Sequence, residues 1–335
     1  MNSSTSSHNT PPLNSVLALE FSGTWLAQQT AVVESIASDR ALSESLTRIA
    51  QLAESLLVHA RVTIHLYDSE TGLLTTGAAP SMPDSYRQKV NNIELTDKMG
   101  SCGPAIFSGK PAVCRDTNSD PRWEVFKDTI KEYDIRASWS IPCISSRNKE
   151  ALGTLCIYWD ESRTPREQEL EMMVNVTQLF RIAVERHRTK ILQQRQLALI
   201  EAAVEGIAFL EDDCFVYLNS AYVKMFGYET YRQLKGRSWD CCLDPSRIQH
   251  FQHHVLTKLM ETNAWQGQTT AKRCDGSLFA MDISLTRIPE SNCWVLVCRD
   301  VSDRERTEQE LRDSRQLLRQ IIDHLPQFIG WKDQN

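Results

Sequence analysis

The chain has 335 residues, of which 41% are hydrophobic and 24% are charged, and its formal net charge is −6. These values are ordinary for a folded protein and exclude a disordered tail, a collagen and a small disulfide scaffold. The acidic balance predicts no binding of nucleic acid or of an anionic membrane surface. The apolar runs are shorter than the ~18–20 residues of a membrane span, and the length predicts two domains with room for part of a third.

The first 28 residues are expected to form a flexible leader, because residues 1–12 are rich in Ser, Thr, Asn and Pro. This segment lacks the basic and then apolar layout of a secretory signal peptide. The ten cysteines follow neither zinc-ligand spacing nor the density of a disulfide scaffold. A reducing, cytoplasmic setting is therefore the simplest prediction.

The next region has the pattern of a helix followed by antiparallel strands. Apolar residues at the spacing of one helix face predict a helix over about residues 40–60. Alternation and flanking polar turns predict strands over residues 61–67, 73–76, 138–144 and 152–159. A helix packed on an antiparallel sheet is an α+β unit.

A long helix is predicted to follow this unit. Thr164 is placed to be its N-cap, Pro165 stands at the first helical position, and Glu167 completes a capping box. No Gly or Pro occurs between Arg166 and Gly206, so the helix can reach ~35 residues, or ~50 Å. Such a helix projects beyond a single domain, which predicts a connector that includes residues 187–198.

A second α+β unit is predicted after the connector. Strands are expected over residues 206–210, 214–218, 264–272, 277–286 and 292–301, and helices over 219–226, 229–234 and 247–261. Asp275-Gly276 is a strong hairpin signal. Ser302 then begins a second capping box, and Leu311, Leu318 and Leu325 are seven residues apart. This spacing predicts a short coiled-coil-like helix over residues 303–320.

The end of the chain repeats an earlier pattern after a shift of 122 residues. Leu199-Ile200-Glu201 falls on Ile321-Ile322-Asp323, and Phe209 falls on Trp331. The order of helix, first strand and acidic turn therefore occurs twice. Residues 321–335 are interpreted as the start of a further, truncated domain of the second kind.

The first unit resembles a GAF domain over residues 29–186. The resemblance depends on five motifs taken in order: Gly100-Ser101-Cys102-Gly103-Pro104-Ala105, Gly109-Lys110-Pro111-Ala112-Val113, Asp116 with Asp120-Pro121-Arg122-Trp123, Arg136-Ala137-Ser138-Trp139-Ser140-Ile141-Pro142, and Leu152-Gly153-Thr154-Leu155. The second unit resembles a PAS domain over residues 199–302. Its motifs are Asn219-Ser220-Ala221, Met225-Phe226-Gly227-Tyr228, Leu234-Lys235-Gly236-Arg237-Ser238-Trp239, Asp275-Gly276-Ser277 and Arg299-Asp300-Val301-Ser302-Asp303.

The two resemblances imply a sensory module from a bacterial signal-transduction protein. Such modules bind a small ligand or respond to redox state, form homodimers through flanking helices and control an output domain. The alternative is that the chain is the N-terminal part of a sensor histidine kinase or a diguanylate cyclase. The chain itself shows no phosphoacceptor histidine context, no glycine-rich nucleotide-binding run and no GGDEF-like signature. It is therefore not expected to be an enzyme by itself.

Cys102 is a candidate catalytic nucleophile, which gives the chain an enzymatic hypothesis beside the sensory one. Its Gly-Ser-Cys-Gly context resembles the nucleophile region of free methionine-(R)-sulfoxide reductases, which are catalytic GAF proteins. A thiol at a helix N-terminus can have a lowered pKa, which would favour a nucleophile. The second cysteine motif of those enzymes is absent, because Asp120-Pro121-Arg122-Trp123 stands there. Methionine sulfoxide reduction is thus a third hypothesis.

Other candidates concern the sensory pockets. Trp123, Trp139 and Trp239 are candidate pocket residues. His250 lies in the predicted helix where haem-binding PAS relatives place their axial ligand, and His254 shares its helix face. Each of these side chains could equally be core packing or hydrated surface. The sequence predicts no metal site and leaves the ligand or cofactor undetermined.

Overall fold

The computed structural model describes residues 27–38, 40–289 and 291–324, and it does not describe the side chains of 247, 249–254, 256, 260 and 324. The chain divides into two compact units, Met1–Leu192 and Gln193–Asn335. Most of the predicted leader and of the predicted truncated domain lies outside the described residues. Each unit contains one antiparallel sheet with its own helices, so the predicted α+β fold class is confirmed.

The first unit begins with helical residues 27–37. Its elements are then α1 (Leu42–Leu56), β1 (Arg61–Tyr67), β2 (Leu73–Ala78), α2 (Asp84–Lys89), β3 (Ile93–Glu94), α3 (Cys102–Ser108), β4 (Ala112–Cys114), a 3-10 turn (Pro121–Phe126), α4 (Lys127–Glu132), β5 (Ala137–Ile144), β6 (Ala151–Trp159) and α5 (Glu167–Ala202). The six strands have the order β3-β2-β1-β6-β5-β4, and all neighbours are antiparallel.

The two faces of this sheet differ in chemistry. One face packs apolar side chains against α1 and the first half of α5, with Trp139, Leu155 and Phe180 fully buried. The other face points to α2, α3 and the segments around them. Because side chains alternate across a strand, the residues between the apolar positions form this second face, and many are buried polar groups: Thr63, His65, Ser138, Ser140, Thr154, Cys156 and Tyr158.

The long helix α5 has 36 residues, as the sequence indicated, but it begins later than predicted. Its first residue is Glu167, and Leu170 N donates the first helical hydrogen bond to Arg166 O. The Glu169 carboxylate accepts from Arg166 N at 2.9 Å. Arg166 therefore takes the N-cap place, and the prediction that Thr164 caps the helix is wrong by two residues. Only half of a capping box exists, in which the Glu169 carboxylate accepts from Arg166 N; the arginine side chain has no acceptor for the other half.

The second unit repeats the plan of a sheet with helices at one side. Its elements are β7 (Gly206–Glu211), β8 (Cys214–Leu218), α6 (Ser220–Met225), two 3-10 turns (Tyr231–Gln233 and Trp239–Cys242), α7 (Pro245–Thr262), β9 (Ala264–Lys272), β10 (Leu278–Arg287), β11 (Cys293–Asp300) and α8 (Ser302–His324). The strand order is β8-β7-β11-β10-β9. Asp275-Gly276 forms the predicted hairpin turn between β9 and β10, with Gly276 at φ 86°, a conformation that glycine adopts without strain.

The start of α8 also differs from the sequence expectation. Glu305 N donates to Val301 O, and the Ser302 hydroxyl accepts from Ala280 N of β10 at 3.1 Å. Ser302 therefore ties the helix to the sheet instead of forming the predicted capping box. Along α8, several apolar side chains are half exposed: Leu311, Leu317, Leu318, Ile321 and Ile322. Leu325, the third leucine of the predicted seam, lies outside the described residues.

Candidate functional site

The candidate site is a cavity in the first unit, between the polar face of the sheet and α2, α3 and α4. The centre of a water molecule can move through about 40 Å³ of it, which is room for a few waters or a small ligand. Two of the sequence candidates, Cys102 and Trp123, are among the lining residues. The full lining is His65, Leu74, Tyr86, Val90, Ile93, Leu95, Met99, Gly100, Ser101, Cys102, Trp123, Phe126, Thr129, Ile135 and Tyr158.

The cavity wall is electrically neutral at pH 7. None of its fifteen lining residues is Asp, Glu, Lys or Arg. Burial lowers the pKa of His65 from 6.5 to about 4, so this imidazole is uncharged near neutral pH. Burial also raises the pKa of the Tyr86 and Tyr158 hydroxyls, which therefore stay protonated. A charged ligand would be desolvated here without a counter-charge, which is unfavourable.

Trp123 presents an unused hydrogen-bond donor. It lies in the 3-10 turn that Asp120 begins by accepting from Arg122 N at 3.0 Å. Only 7% of Trp123 is exposed, and its indole Nε1 is buried without a hydrogen-bond partner in the part of the chain that the structure describes. Buried N–H groups are usually paired. Because Trp123 also lines the cavity, this unpaired donor is a candidate partner for a ligand acceptor.

Cys102 is the first residue of α3 and is held close to the sheet. A Cβ at Gly103 would lie 2.0 Å from Thr96 O, so only glycine permits this approach of the helix to the preceding loop. The Cys102 sulfur lies 3.2 Å from the sulfur of Cys156. This contact and burial raise the pKa of Cys102 well above its usual value. The expectation of a pKa lowered by the helix is therefore wrong, because the contact with Cys156 and the lost hydration outweigh a short helix.

Two groups of hydrogen bonds line the sheet side of the cavity. In the first, Tyr86 and Tyr158 hydroxyls are 3.0 Å apart, Thr63 donates to Tyr158 at 3.5 Å, and Thr63 Oγ1 lies 3.0 Å from His65 Nε2. In the second, the hydroxyl of Ser101 bonds to two serines of β5, and the bonds continue to Cys156. The distances between the side-chain oxygen or sulfur atoms of this second group are 2.7 Å for Ser101–Ser138, 2.7 Å for Ser101–Ser140, 3.3 Å for Ser140–Cys156 and 3.2 Å for Thr154–Cys156.

The structure places the other sequence candidates away from this cavity. Trp139 is fully buried on the opposite face of the sheet, where its ring centre is 3.9 Å from that of Trp159. Trp239 belongs to the core of the second unit and is 6% exposed. His250 lies in α7, and its side chain is outside the described residues. Among the described residues, no group of three or more His, Cys, Asp or Glu is arranged to hold a metal ion.

Sequence reasoning did not select several residues that form this site. The sequence pattern that could have indicated the strand residues among them is the alternation of polar and apolar residues in β1, β5 and β6. Polar side chains recur there at every second position. Such alternation is commonly read as a solvent-facing side, whereas here both faces are buried. The missed residues are His65, Tyr86, Ser101, Cys156 and Tyr158.

Each of the two units matches the model of a known domain family. Residues 41–184 match the family model described as GAF domain, and residues 204–303 match one described as PAS domain. Within the described ranges, none of the helices is both long and apolar enough to cross a lipid bilayer.

Curated relatives are sensor and regulatory proteins that are longer than the matched region. The chain is 26% identical over 300 residues to the methyl sulfide methyltransferase-associated sensor of Methanosarcina acetivorans, covering 87% of this chain and 30% of the relative. It is 24% identical over 118 residues to the nitrogen fixation regulatory protein of Klebsiella oxytoca, covering 34% of this chain and 24% of the relative. The chain thus spans less than a third of either relative.

Solved structures resemble each unit separately. A putative two-component sensor histidine kinase domain from Sinorhizobium meliloti has a TM-score of 0.39 at 17% identity, covering 47% of this chain and 99% of that one. The free methionine-R-sulfoxide reductase of Neisseria meningitidis has a TM-score of 0.40 at 15% identity, covering 50% and 91%. The PAS domain from Colwellia psychrerythraea has a TM-score of 0.32 at 19% identity, covering 34% and 98%.

Proposed function

Because the chain is a GAF domain followed by a PAS domain, from the sensory region of a signalling protein, we propose that it detects a small ligand or a redox change in the GAF cavity. In this proposal the chain is a cytoplasmic homodimer that passes the signal through its long helices to an output domain. The observation that supports it best is the cavity without charged lining residues, together with the unpaired N–H of its lining residue Trp123.

The chemistry of the wall defines the class of ligand. Most of the lining side chains are apolar or aromatic, and the polar ones are uncharged. The ligand is therefore small and uncharged, with an apolar body. One hydrogen-bond acceptor, directed to Trp123 Nε1, would satisfy the buried donor and fix the orientation of the ligand.

Benzamide and benzoate test this ligand class because they have nearly the same shape and differ in charge. The Trp123 indole N–H signal, assigned by its loss in Trp123→Phe, would be followed by NMR during titration of the whole chain. We expect benzamide to shift this signal and benzoate to leave it unchanged at the same concentration. A shift with benzoate alone, or with neither compound across a panel of small amides, ketones and sulfoxides, would contradict the proposal.

Trp139→Phe is the matched control for Trp123→Phe, because Trp139 lies on the other face of the sheet. We expect Trp123→Phe to weaken benzamide binding by roughly 5- to 30-fold, the value of one hydrogen bond to a buried donor. Trp139→Phe is expected to leave binding within about twofold of the unmodified chain. Equal losses in both variants would indicate a general disturbance of the unit instead of a contact with the ligand.

The dimer part of the proposal depends on α8. Leu311, Leu318 and Ile322 are 52%, 56% and 62% exposed and are separated by seven and four residues, which is the spacing of a coiled-coil seam. A second copy of this helix would cover them. Sedimentation velocity should show a dimer for the chain and a monomer for Leu318→Glu, while Asp313→Lys, a change of charge on the opposite side of the same helix, should remain a dimer. A chain that stays monomeric at 100 μM, on the order of the concentrations where weak coiled coils pair, would contradict this part.

The output domain would lie outside this sequence. The match to less than a third of the Methanosarcina sensor supports this view, and a sensor histidine kinase or a diguanylate cyclase is the expected kind of parent protein. Sequencing the gene beyond residue 335 tests it directly. An in-frame catalytic domain supports the proposal, and a stop codon there would instead support a chain that acts on a separate partner.

Methionine sulfoxide reduction remains the enzymatic alternative. The raised pKa of Cys102 argues against it, because a protonated thiol is a weak nucleophile at neutral pH. Incubation with free methionine-(R)-sulfoxide and a dithiol reductant tests this alternative. Turnover that is lost in Cys102→Ala would establish the enzyme, and the absence of turnover would leave the sensory function.

A further inference from the structure

We infer that Cys102 and Cys156 form a reversible disulfide in the wall of the GAF cavity, which makes the cavity responsive to peroxide. The inference deepens the proposed sensory function, because it gives that function a specific redox input. The bond itself depends only on two side chains and their surroundings.

The two thiols are already in contact. Their sulfur atoms are 3.2 Å apart, although the residues are 54 positions apart in sequence. A disulfide has a sulfur–sulfur distance of about 2.05 Å, so the sulfurs must approach by about 1 Å. Cys102 begins α3, and Cys156 is an interior residue of β6. A bond between them would fix the start of α3 to the centre of the sheet.

The cavity gives an oxidant access to one sulfur and protects the other. Cys102 is partly exposed and lines the cavity, whereas Cys156 is fully buried behind it. Hydrogen peroxide is only slightly larger than water, so the cavity can admit it. The oxidant therefore reaches Cys102 first, and Cys156, whose sulfur is 3.2 Å away, is placed to react next.

The surroundings of Cys156 favour its thiolate. The hydroxyls of Ser140 and Thr154 lie 3.3 and 3.2 Å from its sulfur, and Cys102 adds a third contact. These hydrogen bonds outweigh burial and lower the pKa of Cys156 to about 7. The first proton of the pair is therefore lost near neutral pH, and attack by Cys102 on peroxide requires its own proton to pass to Cys156 across the 3.2 Å contact.

The reaction balances with one peroxide for each pair of thiols. The Cys102 thiolate attacks one oxygen of hydrogen peroxide, the O–O bond breaks, and hydroxide leaves with a proton as water. Cys102 is then a sulfenic acid. The Cys156 thiolate attacks this sulfur, the S–O bond breaks, and a second water leaves. Two thiols are oxidised to one disulfide, and both peroxide oxygens are reduced to water.

The experiment uses the whole chain with a few equivalents of hydrogen peroxide, followed by alkylation, digestion and mass spectrometry. We expect a linked peptide pair that contains Cys102 and Cys156, lighter by two hydrogens than the separate peptides and split by dithiothreitol. The linked pair should be absent in Cys102→Ser and in Cys156→Ala. It should persist in Cys114→Ser, the matched control, since Cys114 is a buried thiol of the same cluster.

A second measurement reports on the cavity without any variant. Because Cys102 and Trp123 line the same space, oxidation should shift the Trp123 indole N–H signal of the unmodified chain, and dithiothreitol should restore it. Exposed Cys274 provides the internal control that the oxidant acted.

Two outcomes would overturn the inference. One is recovery of Cys102 and Cys156 on separate alkylated peptides after Cys274 has been oxidised. The other is a disulfide that joins the neighbouring thiols of Cys241 and Cys242, whose sulfurs are 3.8 Å apart, with the 102–156 pair still reduced. If either occurs while benzamide still shifts the Trp123 signal, the redox inference fails and the ligand-sensing proposal stands.

Discussion

The GAF and PAS domains bury their sheets in different ways. In the GAF domain the sheet is covered on both faces, and one of these faces consists of buried hydroxyls, thiols and His65 around a cavity. In the PAS domain the inner face of β10 is apolar, and its polar residues, such as Asp282 and Ser284, lie on the outer face. The same alternating pattern therefore encloses polar groups in one domain and exposes them in the other.

The interiors of the two domains also differ in packing, and this difference determines which of them can respond to a ligand. Around Tyr222 of the PAS domain the described rings are in direct contact, at 4.4 Å from Phe226 and 5.5 Å from Phe215. Packed rings give stability because they bury much apolar area. The GAF interior instead keeps a space whose wall is mostly apolar, with hydrogen-bonding groups on the sheet side. An unfilled space stabilises the fold less than packed rings do and can respond to a ligand or an oxidant. The sensing chemistry is thus expected in the first domain.

Phe226→Ala should have the largest effect, because it removes the centre of the packed PAS rings. Phe226 is fully buried and also meets the edge of Phe279 at 5.3 Å. We expect the free energy of unfolding of the PAS domain to fall by about 4 kcal/mol, with the GAF domain unaffected. Urea unfolding, followed by hydrogen exchange in each domain, measures this. Phe107→Ala, at a 53% exposed ring of the GAF domain, should change stability little. A loss of similar size in Phe107→Ala would contradict the view that the packed PAS rings contribute more to stability.

Asn219→Ala is expected to cost about 3 kcal/mol in the same domain, because buried backbone groups lose their partners. The Asn219 side chain accepts from Ile207 N and Tyr222 N, each at 2.9 Å, and donates to Ile200 O and Glu205 O at 2.9 and 3.0 Å. Asn219→Ser keeps a cap acceptor for α6 and should recover about 1 kcal/mol. Chemical denaturation of the two variants measures the difference. Equal stability of Ala and Ser variants would show that capping is unimportant here.

His65→Gln tests the polar GAF interior through pH. The folded pKa of about 4 is below the unfolded value of 6.5, so the unfolded chain binds the proton first as the pH falls. Stability is full above pH 6.5 and is lost progressively down to pH 4, by about 2 kcal/mol between pH 7.5 and pH 5. Urea midpoints at both pH values should show this loss in the unmodified GAF domain and a smaller one in His65→Gln.

His59→Asn is the control for His65→Gln, because His59 is exposed and at φ 61°, a backbone conformation that asparagine tolerates. It should keep the full acid sensitivity of the unmodified chain. If His65→Gln keeps that sensitivity as well, the imidazole is not what limits the acid stability of the GAF domain.

Arg273→Gln should have the smallest effect of this series, about 1 kcal/mol. Arg273, in the turn between β9 and β10, pairs with Asp300 at the end of β11, and its guanidinium carbon lies 4.0 Å from the centre of the Phe279 ring. Both charged side chains are about 30% exposed, so water and salt weaken the pair. Thermal unfolding in low and high salt measures it. A loss that is equal in both would assign the effect to the ring contact and to the hydrogen bond that Arg273 donates to Met225 O, instead of to the ion pair.

Much of the fold was predictable because its signals are local. The strands β1, β8 and β9 occur at the predicted residues, and Asp275-Gly276 forms the expected turn. The first residues of α5 and α8 were not predicted correctly, because helix capping depends on contacts that only the tertiary structure provides. Ser302 is used by Ala280 N of another strand, and no local pattern contains that information.

The site was predictable only in part. Cys102 and Trp123 stand in motifs that attract attention, and both line the cavity. Cys156 stands in a strand whose alternation shows only that it shares a face with Thr154 and Tyr158, and its importance comes from a neighbour 54 residues away. The reversal of the expected pKa shift at Cys102 has the same origin. Long-range contacts of this kind require the tertiary structure.

The hydroxyls between Tyr86 and His65 have a further consequence. Each can donate or accept, and so can the imidazole in its two neutral tautomers. The row of bonds can therefore point in either of two directions while every heavy atom stays in place. A ligand that binds a proton of Tyr86 selects one direction and thereby sets which nitrogen of His65 is protonated. The order of protons along this face of the sheet would then change without a displacement of the backbone.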